Sequence, residues 1–198
     1  MAMMKATRLA DDVSVLKQNL PPLPEAMANP ALIVVSGLPG TGKSYFCRKL
    51  GEKIDLVILE SDNLRKLLFS TPSYSKEEST QLFRACHGLV EELLRKGIGV
   101  ALDATNLEEH NREPLYHIAD QSGARLIIVR MEAPPEVVQQ RLEGRARKVD
   151  QSDHSEADWN VYSKMKPTVD KISRNHFAVD SSKDIAPVID KIVRLVNR

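Results

Sequence analysis

Cysteine is nearly absent: Cys47 and Cys86 are the only two in 198 residues. They lie far apart and belong to no set with metal-ligand spacing, which excludes a disulfide framework and points to reduced thiols in the cytoplasm. An excess of charge of one sign is lacking too. Lys and Arg number 28 and Asp and Glu 27, a net charge of +1, so no general attraction to nucleic acid or to a membrane surface is expected, although a local basic cluster remains compatible with the totals. No apolar run approaches the ~20 residues that span a bilayer, and the opening MAMMKATRLADD has no signal-peptide apolar core. There is no internal repeat and no low-complexity stretch. What is present is 42% hydrophobic and 28% charged residues, the balance of a soluble globular chain, with a length that fits one domain and a real core.

Residues 1–30 read as an appendage. Leu9, Val13, Leu16 and Leu20 recur at helical spacing, which predicts a short amphipathic helix over about 7–19. Pro21-Pro22-Leu23-Pro24 then ends it in an extended linker, so removal of this piece is expected to leave the core intact. From residue 31 to 198, strands and helices alternate. Apolar runs predict strands at 31–36, 54–59, 98–103 and 126–131, with a short fifth at 177–180. Between them, helices are expected at 43–50, 63–69, a long one through 82–94, 109–121, 134–142 and 155–165, with a closing helix at 185–196. In the long helix, Leu82, Phe83, Cys86, Leu89, Val90, Leu93 and Leu94 share one apolar face. Such alternation implies an α/β three-layer sandwich: a mainly parallel sheet with helices on both faces. Ligands of such folds bind at the carboxyl ends of the strands.

One such end carries Gly37-Leu38-Pro39-Gly40-Thr41-Gly42-Lys43-Ser44, which matches G-x-x-x-x-G-K-S. Glycines let backbone N–H groups curl around phosphate oxygens without Cβ clashes. The helix that starts near Lys43 adds its positive end. Lys43 then reaches the terminal phosphates and the Ser44 hydroxyl meets Mg²⁺. A chance match anywhere in the chain is about a 1% event, and here an apolar strand precedes the motif and a helix follows. Gly37, Pro39, Gly40, Thr41, Gly42, Lys43, Ser44 and Tyr45 form the candidate nucleotide-binding set. Mg²⁺ needs a carboxylate as well. Asp103, at the end of the third strand, is the candidate; its other reading is to brace the following loop, and Asp62 competes for the metal.

Asp62 sits in Glu60-Ser61-Asp62-Asn63-Leu64-Arg65, just past the second strand. As a helix cap it needs no further role. As a site residue, it would take the proton of a hydroxyl that attacks phosphorus. Arg141, Arg145 and Arg147 follow the fourth strand and its helix. Arg141 and Arg145 are four apart and share a face if the helix runs through Gly144. Guanidinium forks meet the charge of a migrating phosphoryl group, and a mobile arginine-bearing lid over about 141–154 would exclude water. The alternative is a solvated basic face. Trp159 and Tyr162 either stack on a base or, the preferred reading, pack their helix to the core. The five histidines form no ligand spacing.

Taken in order, Gly37–Ser44, Ser61-Asp62-x-x-Arg65, Asp103-Ala104-Thr105-Asn106 with Arg112, and the arginines of 141–147 resemble the P-loop kinases related to polynucleotide 5′-hydroxyl kinase and the zeta-toxin-like phosphotransferases. The likeness covers about residues 31–196. It implies a nucleotide-kinase-like P-loop fold with five core strands, the P-loop strand in the middle, and an arginine-bearing lid. It implies Asp62 as the catalytic base and Arg65 on an acceptor phosphate or steadying Asp62. Thr105, Asn106 and Arg112, with Asp103, would line the acceptor or metal side. Arg141 and Arg145 would be lid arginines acting in catalysis with Lys43.

The expected activity is ATP- and Mg²⁺-dependent transfer of the γ-phosphate to a hydroxyl, with no membrane partner. Two acceptor classes stand: a nucleic acid 5′ end, or a small molecule such as a nucleoside, sugar nucleotide, antibiotic or metabolite. The near-zero net charge favours the small molecule. A different class is an ATP-binding regulatory module or ATPase without a phosphoryl acceptor, docked through residues 1–30. The choice between ATP and GTP and the oligomeric state are open at this level.

Overall fold

The computed structural model describes residues 2–147 and 157–197. Five parallel strands, β1 (Ala31–Ser36), β2 (Val57–Glu60), β3 (Val100–Asp103), β4 (Arg125–Glu132) and β5 (Phe177–Asp180), form one sheet in the order β2-β3-β1-β4-β5. β1 is central because both of its faces are apolar. Leu32 and Val34 enter one core cluster, Ile33 and Val35 the other, and every residue of the strand is buried. That is the pattern expected of a strand covered on two sides.

Eight α-helices surround the sheet among the described residues: α1 (Ala2–Gln18), α2 (Lys43–Gly51), α3 (Ser61–Leu68), α4 (Lys76–Arg95), α5 (Glu109–Gln121), α6 (Pro135–Arg147), α7 (Trp159–Met165) and α8 (Ala186–Val196). Phe46, Cys47 and Leu50 of α2 and Ile189, Ile192 and Val196 of α8 cover one face. Leu64 of α3, the Leu82–Leu94 face of α4, and Leu115, Ile118 and Ala119 of α5 cover the other. The three-layer α/β sandwich read from the alternation is the fold. No helix among the described residues is long and apolar enough to cross a membrane. Both cysteines are buried; burial pushes the Cys47 thiol up and the Cys86 thiol up to about 12, so both stay protonated and unreactive.

Several boundaries differ from the sequence reading. β2 begins at Val57, not Ile54, because Ile54 still donates its N–H to Leu50 O at the exit from α2 (3.1 Å). α3 begins at Ser61, so Asp62 lies inside the first turn; the N-cap position is Glu60, whose side chain makes no cap bond. Asp62 is therefore not the helix cap. α6 continues past Leu142 and through Gly144 to Arg147, the condition under which Arg141 and Arg145 share a helix face. α7 begins at Trp159 and is capped by Asp158, which accepts from Val161 N; residues 155–156 of the expected helix lie outside the described residues. Residues 148–154 of the expected lid lie outside the described residues.

The first 30 residues are joined to the domain more closely than an appendage would be. α1 packs on α4 and α3: Leu16 is fully buried in the same cluster as the α4 face, with Val13 and Leu20 against it. The proline-rich linker is tied as well, since Met27 N–H donates to Gly97 O (2.8 Å). Gly97 has φ +78, and a Cβ there would meet Met27 O at 2.7 Å, so only glycine fits this crossing. The helical period showed that α1 has an apolar face, but not what covers it.

Candidate active site

A cavity of about 650 Å³ opens at the carboxyl ends of β1, β2 and β3. Its floor is the loop between β1 and α2. Gly42, at φ +87, turns the chain into α2 without any side-chain cap, so the first amides of the helix face outward unpartnered by a side chain. Pro39, Gly40, Gly42, Lys43 and Ser44 line the cavity. Thr41 does not line it; its hydroxyl donates to Leu38 O (2.7 Å) and closes the loop on itself. Gly37 is likewise a fold residue, with its N–H donating to Thr105 O (3.0 Å). Tyr45 is half-exposed on α2 and is not part of the cavity wall.

Lys43 donates from Nζ to Leu38 O (3.1 Å), which holds the ammonium across its own loop. Desolvation at the floor pulls its pKa below the usual lysine value, and the carboxylates of Asp103 and Asp62 oppose that pull. Both acids line the same cavity. Asp103 ends β3 and is buried, in register with Val35 on one side and Glu60 on the other. Asp62 follows β2 by two residues. A hydroxyl on α2 and a carboxylate on the neighbouring strand end make a hard oxygen donor set, which fits Mg²⁺ once phosphate oxygens join it.

The residues after β3 divide between the cavity and the frame behind it. Thr105 lines the cavity, but Asn106 and Arg112 do not. Asn106, at φ +43, is buried and donates from Nδ2 to Val35 O (3.0 Å). Ser36 Oγ donates back to Asn106 O (3.0 Å). Arg112 is fully buried; its guanidinium donates to Asn106 O and Leu107 O (both 2.6 Å) and pairs with Glu109. The remaining donor reaches Lys171 O (3.4 Å), so the fork is occupied by the 106–109 turn and by the segment that follows α7, and Arg112 does not line the cavity. Together the two residues fasten the end of β3 to the end of β1, which holds Thr105 and Asp103 against the phosphate loop.

Arg65 is in the cavity wall, yet its charge is already met. Glu78 of α4 pairs with it, Ser79 Oγ accepts from Nη2 (3.3 Å), and the Tyr74 ring lies 4.7 Å from the guanidinium carbon. Burial would raise the Glu78 pKa, but Ser73 N–H and Oγ, Arg65 and Tyr74 N–H all donate to it and bring it down to about 2. The two lid candidates separate. Arg145 lines the cavity. Arg141 is a strut: it donates to Gly40 O (3.3 Å), Ser181 Oγ (2.7 Å) and Ser181 O (2.9 Å), tying the phosphate loop to the turn after β5.

The rest of the wall was not legible in the sequence. Tyr74 and Ser79, with Phe83 four residues further along α4, close one side, and Ala157, Val161 and Met165 the other. The period of α4 assigns Phe83 to the core face; it is half-buried, at the edge where that face meets the cavity. The signal available was Tyr74 itself, an aromatic in a proline-serine break. Trp159 and Tyr162 stack on each other (centroids 4.7 Å apart) and pack with Leu38, Val138 and Leu142, the core reading preferred for them.

A family model described as an AAA domain matches residues 32–171. Among curated proteins, the L-seryl-tRNA(Sec) kinase of Methanococcus maripaludis is 32% identical over 124 residues, which cover 60% of this chain and 47% of that protein; the chain thus spans about half the length of the relative. Among solved structures, a putative kinase from Chloroflexus aurantiacus superposes with a TM-score of 0.68 at 17% identity, over 85% of this chain and 98% of that one. Kti12 of Chaetomium thermophilum, in complex with ADP-AlF3, gives 0.65 at 22% identity, over 83% and 98%. The APS kinase of Mycobacterium tuberculosis, in complex with AMPPNP and APS, gives 0.63 at 19% identity, over 86% and 99%. At these identities the likeness to the solved structures is one of fold.

Proposed function

The chain belongs to the AAA domain family, and from that premise we propose that it is an ATP- and Mg²⁺-dependent kinase that transfers the γ-phosphate to a hydroxyl acceptor. The observation that carries the reading is that a phosphate loop, Lys43 and two carboxylates from neighbouring strand ends share one cavity. The name of the curated relative, a kinase of L-seryl-tRNA(Sec), is consistent with phosphoryl transfer from this fold.

The amides of the phosphate loop and of the first turn of α2 hold the β- and γ-phosphates, and Lys43 meets their charge. Binding of the donor replaces its weak bond to Leu38 O with phosphate oxygens. Ser44 and Asp103 fit the cation, which when bound would offset phosphate charge. Asp62 accepts a hydrogen bond from the acceptor hydroxyl and takes its proton as the oxygen attacks phosphorus; ADP leaves from the opposite side. Arg145 meets the charge on the migrating phosphoryl group from α6. Arg65 and Thr105 belong to the acceptor side. The acceptor is drawn from the two classes named above, a nucleic acid 5′ end, as in the polynucleotide kinases the sequence resembles, or a small molecule.

The test is ATP turnover with γ-labelled phosphate, in the presence and absence of 5′-hydroxyl oligonucleotides, nucleosides and sugar nucleotides. Transfer to an acceptor, lost in Asp62→Asn, supports the reading. Hydrolysis indifferent to every acceptor and unchanged in Asp62→Asn overturns it in favour of an ATPase module.

A further inference from the structure

The charge around the cavity is unevenly divided. Of the cationic residues in its wall, Lys43 and Arg145 stand at the phosphate loop and on α6. Arg65 stands at the far side, beneath α4. Its partner Glu78 is equally enclosed, with 8% and 7% of the two side chains exposed, and carries further donors from Ser73 and Tyr74. That pair is neutral as a unit. Glu60, Asp62 and Asp103 add carboxylates to the same strand ends. Among the described residues, the side of the cavity away from the phosphate loop therefore presents no cation that is not already paired.

Apart from Ser79, its surface is instead apolar. Tyr74 and Phe83 face it from the α3–α4 side, and Val161 and Met165 from α7. Tyr74 is held by its ring contact with Arg65. An acceptor bearing a phosphate would bring about −1.5 to −2 charges into this setting, beside the ATP phosphates and three carboxylates. Like charges at close range suppress such a ligand. An apolar body gains by leaving water against these four side chains.

We propose that the acceptor is a small, uncharged alcohol with an apolar or aromatic body, and that acceptors carrying a phosphate near the reacting hydroxyl, nucleic acid ends included, are excluded. This rests on the kinase reading above. It deepens that reading by choosing between the acceptor classes left open there.

The experiment compares matched pairs that differ in one phosphate: thymidine against thymidine 3′-monophosphate, and 1-phenyl-1,2-ethanediol against its monophosphate. Each is offered with γ-labelled ATP. Transfer to the uncharged member in preference to its phosphate supports the proposal. In that case Phe83→Ala should raise KM for the uncharged acceptor about tenfold or more with KM for ATP unmoved, Phe83→Leu should restore most of the loss, and the exposed Val161→Lys should shift preference toward the phosphate member. Preference for the phosphate member, or transfer to 5′-hydroxyl oligonucleotides alone, overturns the proposal and leaves the kinase reading standing. If none of these is phosphorylated, the kinase reading is decided by the acceptor screen and Asp62→Asn described above, and calorimetric binding of the same pairs in the presence of AMPPNP decides the proposal by itself. Binding of the uncharged member upholds it; binding of the phosphate member, or of neither, overturns it.

Discussion

Arg65 of α3 and Glu78 of α4 form an enclosed ion pair in the wall of the cavity, across a 13-residue separation in sequence. The pair does two things at once. It joins the two helices that flank the strand-end acids, and it removes from Arg65 the positive charge that a sequence reading assigns to substrate phosphate.

Glu78 gives this relationship a pH signature. Its folded pKa of about 2 lies below the ordinary carboxylate value of 4.5, because the donors of Ser73, Arg65 and Tyr74 outweigh the effect of burial. A group with a depressed folded pKa stabilises the fold fully above its unfolded value and loses that contribution as pH falls through the folded one. Thermal unfolding between about pH 4.5 and pH 2 should therefore show a steep loss of Tm, and Glu78→Gln should have a lower Tm at neutral pH and a shallower slope across that window. An unchanged slope would show that Glu78 is not held in this way.

Lys43→Ala should reduce phosphoryl transfer by about 10²–10³-fold or more, since it removes a preorganised cation from the developing charge. Lys43 sits at the cavity floor rather than in the core, so far-UV circular dichroism and Tm should change little. The measurement is single-turnover transfer at saturating ATP.

Arg141→Ala and Arg145→Ala should part company. Arg145 lines the cavity, and its loss should lower kcat by about 10²-fold with little effect on the Kd for ATP. Arg141 instead ties Gly40 to Ser181. Its loss should lower Tm and weaken ATP binding, because the loop that receives the phosphates loses a strut. Equal effects of both on kcat alone would contradict the division.

Leu16→Ala should cost about 2–5 kcal/mol, the usual range for deleting a fully buried leucine side chain. Denaturant unfolding of the full chain measures it. A loss under about 0.5 kcal/mol, the level of a surface substitution, would mean that α1 is dispensable, as its position ahead of the proline run suggests.

Much of the fold was legible because it rests on local pattern. The six apolar residues of β1, the glycines and Lys43 that follow, and the strand-helix alternation are each properties of one segment or of two adjoining ones. A run that is apolar at every position has only one stable place, the middle of a sheet covered on both faces. The glycine spacing has only one common use ahead of a helix. The same reasoning located Asp62 and Asp103, because residues just past strand ends collect at one edge of a parallel sheet.

What the sequence determined by itself is thus the parallel α/β frame, the phosphate loop and the edge at which acids gather. The tertiary structure decided what each nearby cation and aromatic does. Arg112 and Arg141 became fasteners because backbone carbonyls from Asn106, Leu107, Gly40 and Ser181 came within reach. Arg65 was neutralised by a carboxylate on another helix. Phe83 and Tyr74 became a wall because α3 and α4 leave a gap above the sheet edge, and α1 was drawn in by the apolar face of α4. An arginine carries the same donors wherever it falls in a sequence, and only the packing of distant segments fixes which acceptors surround it.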